Sequence, residues 1–121
     1  MKRILLIGLM VMTMVLALSL IVTAGGDVEK GKALFYSPEL GTNGKSCASC
    51  HPGGSRINGQ KGSYTIMGHR LNSVEDAINL CIEMALKGNP LKKDSQEMKA
   101  LSAYVKTLKG KKRKKRIIKG C

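Results

Sequence analysis

The sequence predicts a small all-α domain of three main helices packed around a bound group. Three segments carry apolar residues at the spacing of an amphipathic helix, and none shows the alternating pattern of a strand. Aromatic rings are scarce, because the 121-residue chain has three Tyr, one Phe and no Trp. Rings normally supply much of a small core, so such a domain usually needs a staple, a metal or a cofactor to hold it together.

The first helix is expected from about Val28 to Tyr36. Asp27 is its candidate N-cap, and the Ser37-Pro38 step ends it. A Gly-rich segment follows from Gly41 to Gly68. It is long for a structureless loop in so small a domain, so something other than helix or sheet is expected to organise it.

The second helix is expected to begin at Ser73, which offers a capping hydroxyl, with the carboxylate of Asp76 three residues later, and to stop before Gly88. Its predicted inward stripe consists of Val74, Ala77, Ile78, Cys81, Met84 and Ala85. The third helix is expected between an N-cap at Asp94 and a stop at Gly110. Its predicted apolar face consists of Met98, Leu101, Tyr104, Val105 and Leu108.

The first 24 residues have the pattern of a signal peptide or an uncleaved N-terminal anchor. Lys2 and Arg3 precede an apolar run over residues 4–22, and the small residues Val22-Thr23-Ala24 offer a cleavage site. The run is also long enough to span a bilayer. The domain at residues 25–108 is therefore predicted to be periplasmic or otherwise extracytoplasmic, either soluble after cleavage or tethered by residues 1–24.

The segment "CASCH" carries the chemistry of the chain. It is a C-x-x-C-H sequence, the attachment signal of a c-type haem. The thiols of Cys47 and Cys50 add to the two vinyl groups of the porphyrin, and His51 is carried beneath the iron as proximal ligand. Export agrees with this prediction, because the attachment is made outside the cytoplasm. The sequence thus predicts one covalent haem c.

Other uses of the four cysteines remain alternatives. Cys47, Cys50 and Cys81 with a histidine have the ligand types of a zinc site. Disulfides among the four cysteines suit an oxidising compartment. A thioredoxin-like pair is disfavoured, because no βαβ pattern surrounds it. The histidine next to Cys50, the leader and the missing aromatic core favour haem.

The second axial ligand of the iron is not decided by the residue pattern. The candidates are Met67, His69, Cys81, Met84 and Met98. Met98 belongs to the apolar face of the last helix, where packing is its natural role. Cys81 and Met84 lie one turn apart on neighbouring parts of the same helix face, and periodicity does not choose between them.

The segment "SVEDAINLCIEMALKGNPLKKDSQEMKALSAYVKTL" contains an I-N-x-C motif, a G-x-P-L turn and a D-S-x-E-M helix start with a closing aromatic. The residues that form these motifs are Ile78, Asn79, Cys81, Gly88, Pro90, Leu91, Asp94, Ser95, Glu97, Met98 and Tyr104. With "GKSCASCHPGG" before it, the segment resembles the cysteine-ligated haem c domains of the Sox sulfur-oxidation cytochrome (A subunit) and of thiosulfate dehydrogenase. The resemblance covers roughly residues 31–108.

The resemblance implies a class I-like cytochrome c fold. It also implies that Cys81 is the distal iron ligand, and Met84 is kept as the runner-up. In class I cytochromes c a glycine and aromatic rings let the first and last helices cross closely, and Gly31, Phe35 and Tyr104 fit that role.

The chain departs from this family at one position. The enzymes commonly have R-I-N-x-C, and that arginine helps bind the anionic sulfur substrate, whereas this chain has Ala77. Arg56 and Arg70 are the candidates to replace it. The enzymes also usually have a second haem or a partner subunit, while this chain has one C-x-x-C-H motif.

The function predicted from these observations is that of an exported single-haem electron-transfer protein, possessing no catalytic residues and acting in sulfur-compound oxidation. The first alternative is a haem subunit or an enzyme acting on thiosulfate-like substrates. The second is a zinc- or disulfide-stapled binding domain.

Most of the positive charge lies in a C-terminal tail. The net charge is +13, and eight of the 21 Lys and Arg residues fall within residues 109–121. Such a run is either a solvated tail or a docking element for an acidic redox partner or for anionic lipid headgroups. The export signal weighs against a nucleic-acid partner.

Overall fold

The computed structural model describes residues 22–110 of the protein. In this range the helices are α1 (Val22–Tyr36), α2 (Cys47–Cys50), α3 (Val74–Ala85) and α4 (Gln96–Thr107), with 3-10 turns at Pro38–Leu40 and Pro52–Gly54. The predicted leader and basic tail lie outside the described residues, except for residues 22–24 and 109–110. None of the described helices is both long enough and apolar enough to cross a membrane.

The all-α prediction was too narrow, because a small antiparallel sheet forms at the end of the Gly-rich segment. Strands β1 (Tyr64–Ile66) and β2 (His69–Leu71) pair in this hairpin. Its turn residues Met67 and Gly68 both have positive φ, at 50° and 83°, as in the tight turns that suit the twist of paired strands. Strands of three residues are too short to show an alternating pattern, so no periodic signal predicts them.

The first helix ends where it was predicted to end and begins earlier. Asp27 lies inside α1, so its assignment as the N-cap was wrong. After Tyr36 the chain turns, and the Ser37 hydroxyl accepts a hydrogen bond from the Glu39 N–H at 3.2 Å. Ser37 therefore caps the 3-10 turn that follows α1.

The N-terminus of α3 is capped as predicted. The Ser73 hydroxyl accepts a hydrogen bond from the Asp76 N–H at 3.1 Å, and the same hydroxyl donates to Asp76 Oδ2 at 2.6 Å. Lys93 Nζ lies 2.6 Å from Asp76 Oδ1. The hydrogen bonds from Lys93 and Ser73 lower the pKa of the Asp76 carboxyl, so this carboxylate is charged at the helix end where the dipole favours it.

The cap of α4 lies one residue later than predicted. Ser95, and not Asp94, is the N-cap, and its hydroxyl accepts a hydrogen bond from the Met98 N–H at 3.2 Å. Further along α4, Lys106 Nζ bonds to Glu75 Oε1 at 3.0 Å and links α4 to the first turn of α3. This ion pair adds to the packing of apolar side chains from α3 and α4 in the core.

Helices α1 and α4 cross at very close range. A Cβ added to Gly31 would lie 1.9 Å from the Ala100 carbonyl oxygen, so only glycine allows this approach. Beside the crossing, the rings of Phe35 and Tyr104 pack edge to face with centroids 5.3 Å apart. The crossing that the resemblance implied is thus present, and it forms the centre of the core. The largest fully buried side chains are Phe35, Ile82, Met98 and Leu101.

Exchanging Gly31 for alanine is expected to destabilise the protein by about 1–3 kcal/mol, the usual cost of overpacking a tight core. The added methyl group would force α1 and α4 apart, although alanine alone favours a helix over glycine by about 1 kcal/mol. Denaturant unfolding measures the effect. Gly62→Ala is the matched control, because no atom lies within 4 Å of the added Cβ. Equal stability of the two variants would contradict the tight crossing.

Candidate functional site

A cavity of about 570 Å³ opens inside the hydrophobic core. Its volume lies within the range of cofactor pockets. Six core residues also line this cavity, namely Phe35, Val74, Ile78, Leu86, Leu101 and Val105. A flat apolar group in the cavity would therefore complete the core of this ring-poor chain.

The C-x-x-C-H motif forms a single helical turn, α2, at the edge of this cavity. Ser46 precedes the turn, and its N–H donates a hydrogen bond to Ser49 Oγ at 3.0 Å. The His51 N–H donates to the Cys47 carbonyl at 3.0 Å and closes the turn. Cys47 is half-buried and Cys50 is exposed. Both cysteines and His51 line the cavity, so the geometry brings the three motif side chains together.

The imidazole of His51 is held by a carbonyl group. Its Nδ1 lies 2.9 Å from the Ser55 carbonyl oxygen. A carbonyl oxygen only accepts, so Nδ1 carries the proton and Nε2 keeps its lone pair for a metal. Sequence reasoning missed Ser55, since a carbonyl partner four residues away leaves no side-chain signal. Nearby, Arg56 Nη2 donates to the Cys50 carbonyl at 3.3 Å.

Cys81 reaches the same cavity from α3. It is half-buried and lies in the cavity wall beside Ala77 and Ile78. Burial raises the pKa of the Cys81 thiol, and the nearby Cys50 adds to the effect. Burial also raises the pKa of Cys47 to about 11, with Cys81 as the next cause. An unligated thiol at either position is therefore neutral near pH 7, and a bound cation would be needed to favour its thiolate.

The other predicted ligand candidates lie in different places. Met67 lines the cavity from the hairpin turn but is 59% exposed. Met84 is 47% exposed and does not line the cavity, so its place on the inward stripe of α3 was wrongly predicted. Met98 is fully buried in the core, as expected, and His69 is exposed and does not line the cavity.

The loop before α2 is fastened to the C-terminal end of α3. Thr42 Oγ1 donates to the Lys87 carbonyl at 2.7 Å, and Asn43 Nδ2 donates to the Ala85 carbonyl at 2.9 Å. These bonds satisfy carbonyls that a helix end leaves without partners. A Cβ on Gly88 would lie 1.9 Å from the Leu40 carbonyl oxygen, so the two segments touch backbone to backbone. The segment that leads to the motif is thus fixed relative to the helix that carries Cys81.

The asparagine of the I-N-x-C motif has a structural partner. Asn79 Nδ2 donates to the Leu91 carbonyl at 2.9 Å, and Asn79 Oδ1 accepts from the Leu91 N–H at 2.9 Å. The side-chain amide thereby pairs with the backbone as a neighbouring strand would. It holds the turn after α3 against that helix.

The alternatives for the cysteines gain no support from the geometry. Over residues 22–110, no group of three or more His, Cys, Asp or Glu side chains is arranged to hold a metal ion. In the same range Cys47, Cys50 and Cys81 are free thiols. Cys121 lies outside the described residues.

The donor set fits a covalently attached haem. Two cysteines can form thioethers, an oriented imidazole nitrogen can bind iron, and the walls around them are apolar. A small helical domain with this site is a c-type cytochrome domain.

Comparison with known proteins identifies the family to which this domain belongs. The family model of the SoxA/TsdA cytochrome c domain matches residues 30–111, and the chain belongs to this family. It is also 36% identical, over 82 residues, to the L-cysteine S-thiosulfotransferase subunit SoxA of Chlorobaculum tepidum. That match covers 68% of this chain and 28% of the relative. No solved structure matches the chain significantly.

Membership of a cytochrome c domain family implies covalent haem c. The chain spans only 28% of the length of the SoxA relative. The activity in the name of the SoxA relative is therefore that of a much longer chain.

Proposed function

We propose that this chain is an exported c-type cytochrome that carries one haem and transfers single electrons during the oxidation of sulfur compounds. One observation carries the proposal: Cys47, Cys50, His51 and Cys81 line the same cavity in an apolar core. The family match supports the cofactor class and the metabolic context.

Each side chain of the motif has a role in this proposal. The thiols of Cys47 and Cys50 would hold the porphyrin by adding S–H across its two vinyl groups, an addition that forms two thioethers without an external oxidant or reductant. The Ser55 carbonyl holds Nδ1–H of His51, and Nε2 coordinates the iron. When bound, the haem supplies a one-electron couple.

Cys81 is proposed as the distal ligand, bound as thiolate. Its place in the cavity wall supports this role, and the exposed position of Met84 disfavours that runner-up. Coordination to iron would lower the pKa of the Cys81 thiol and release its proton to solvent, whereas burial alone raises that pKa. A thiolate donates electron density and favours ferric iron, so we expect a potential well below that of a His/Met cytochrome.

The proposed place of work is the periplasm or another extracytoplasmic compartment. Residues 1–24 would direct export, either as a cleaved signal peptide or as a retained anchor. The basic tail at residues 109–121 would dock an acidic redox partner or touch anionic lipid headgroups. No nucleic-acid partner is proposed.

A second candidate function is that of a haem subunit or enzyme for thiosulfate-like substrates. Arg56 favours it, because this residue lines the cavity, whereas Arg70 does not. Against it stands Ala77, which occupies the position of the family's substrate-binding arginine and is 7% exposed in the cavity wall. The Arg56 guanidinium also bonds to the Cys50 carbonyl, which limits its reach.

The first test is the intact mass of the protein after expression with haem-attachment machinery. We expect the measured mass to equal that of the polypeptide plus one haem. The same mass shows whether residues 1–24 have been removed. A Cys47→Ser/Cys50→Ser double variant is the control and should carry no covalent haem. A colourless but folded wild-type protein would contradict the proposal.

The distal ligand is tested by electron paramagnetic resonance of the ferric protein. Cys81→Ala is expected to abolish the low-spin thiolate signal and to raise the midpoint potential, because the electron-rich sulfur is lost. Met84→Ala and Met67→Ala are matched controls and should keep the signal. A wild-type spectrum in Cys81→Ala would eliminate Cys81 as ligand.

A turnover assay distinguishes the proposed electron carrier from the alternative, an enzyme. The isolated holoprotein, given thiosulfate and an artificial electron acceptor, is expected to show no sustained turnover, because α3 lacks the arginine that the family uses for the anion. Restoring that residue by Ala77→Arg provides the comparison. Robust turnover by the unmodified chain would make the enzyme the better assignment.

A further inference from the structure

One amide side chain links the two elements that carry the cysteines of the site. Asn43 Nδ2 donates to the Ala85 carbonyl at 2.9 Å, and Asn43 Oδ1 accepts from the Lys45 N–H at 3.1 Å. Ala85 lies about one helical turn beyond Cys81 in α3, and Lys45 lies just before Cys47 in the chain. The side chain of Asn43 therefore joins the helix of Cys81 to the segment that leads into the C-x-x-C-H turn.

The end of α3 is closed at Cys81 itself. The Cys81 carbonyl accepts a hydrogen bond from the Leu86 N–H at 3.2 Å, and the Leu86 carbonyl accepts from the Thr42 N–H at 3.0 Å. The next residue, Lys87, has a φ of 58°, a left-handed conformation that is uncommon for a residue with a side chain. The Thr42 hydroxyl donates to the Lys87 carbonyl at 2.7 Å. Because such a conformation persists only where its surroundings hold it, the loop before the motif fixes the last turn of α3.

The side chains of Thr42 and Asn43 do not act by touching the cavity. Both residues are exposed and neither lines it. Ala85 and Leu86, whose carbonyl groups accept hydrogen bonds from Asn43 and Thr42, do line it. A substitution of either side chain therefore reaches the site through the backbone that the side chain holds.

We propose that Asn43 and Thr42 are positioning residues that hold the Cys81 sulfur against the iron, and that they thereby set how strongly the iron–thiolate bond resists displacement. This inference rests on the proposed function, in which Cys81 is the distal ligand. Cys47 and Cys50 would fix the porphyrin to α2, so the distance from the iron to Cys81 depends on how α3 is held relative to α2. When the last turn of α3 is less restrained, the sulfur leaves the iron at a smaller cost.

The test is displacement of the thiolate from the ferric holoprotein by imidazole, followed by electron paramagnetic resonance. Imidazole binds iron through a nitrogen lone pair, and the released Cys81 sulfur takes a proton from solvent, so no electrons are exchanged. Asn43→Ala is expected to lower the imidazole concentration at half-displacement by about 2- to 10-fold, the factor that corresponds to one net hydrogen bond. Thr42→Val removes one bond to the same end of α3 and should act in the same direction, so it decides the matter if Asn43→Ala carries no haem.

Asn43→Asp separates the two hydrogen bonds of the amide. A carboxylate still accepts from the Lys45 N–H but cannot donate to the Ala85 carbonyl, and its charge lies at the helix end where the dipole disfavours an anion. This variant should therefore ease displacement at least as much as Asn43→Ala.

Thr107→Val is the matched control. It removes a hydroxyl that donates to the Tyr104 carbonyl at 2.7 Å near the end of α4, and Thr107 does not line the cavity. The control loses a side-chain hydrogen bond to a helix-end carbonyl, as Asn43→Ala does, but it leaves α3 unchanged. Its imidazole concentration at half-displacement should equal that of the wild type.

The outcomes separate a positioning role from a general loss of stability. Wild-type displacement in haem-containing Asn43→Ala and Thr42→Val would overturn the inference and leave Cys81 as the ligand. Displacement that is eased equally in Thr107→Val would overturn it in favour of general destabilisation. Wild-type displacement in Asn43→Asp would show that the bond to Ala85 is not the cause. A thiolate signal that survives in Cys81→Ala would overturn both the distal assignment and this inference.

Discussion

The close crossing of α1 and α4 is the constraint on which the rest of the structure depends. It is allowed because Gly31 has no side chain where the Ala100 carbonyl oxygen approaches. At this separation Phe35 reaches Tyr104, and Phe35 and Leu101 also become part of the cavity wall. A wider crossing would remove that wall and expose the core. The same contact therefore stabilises the fold and shapes the space for the cofactor.

The second constraint is that the short helix α2 depends on neighbouring segments for its stability. A four-residue helix such as α2 has little stability of its own, since helix nucleation is unfavourable. The preceding loop gains order from the bonds of Thr42 and Asn43 to the end of α3, and the following turn gains it from the bond between His51 and the Ser55 carbonyl. Two thioethers would add covalent ties at the segment between them. The cofactor and the polypeptide thus order each other in the proposed holoprotein.

The sequence predicted those features that depend on local chemistry. The Ser73 cap was correctly assigned, because a hydroxyl and its backbone partner lie three residues apart. The α4 cap was misplaced by one residue, because Asp94 and Ser95 are both good caps and tertiary packing chooses between them. The hairpin was missed, because three-residue strands carry no periodic signal. Cys81 and Met84 were inseparable by periodicity, since only the packing of α3 against its neighbours determines which one meets the cavity.

The proposed role as a carrier agrees with the electrostatics of the cavity wall near Cys81. Ala77 contributes only a methyl group to this wall, at the position where the resemblance implies an arginine in the enzymes, so α3 provides no cationic side chain to the cavity. The remaining basic residues of the lining are Arg56, which bonds to the Cys50 carbonyl, and Lys61, which is exposed. A substrate dianion in this largely apolar cavity would therefore meet little positive charge to offset its desolvation. Electron transfer requires no substrate in the cavity, since only the cofactor itself has to be bound.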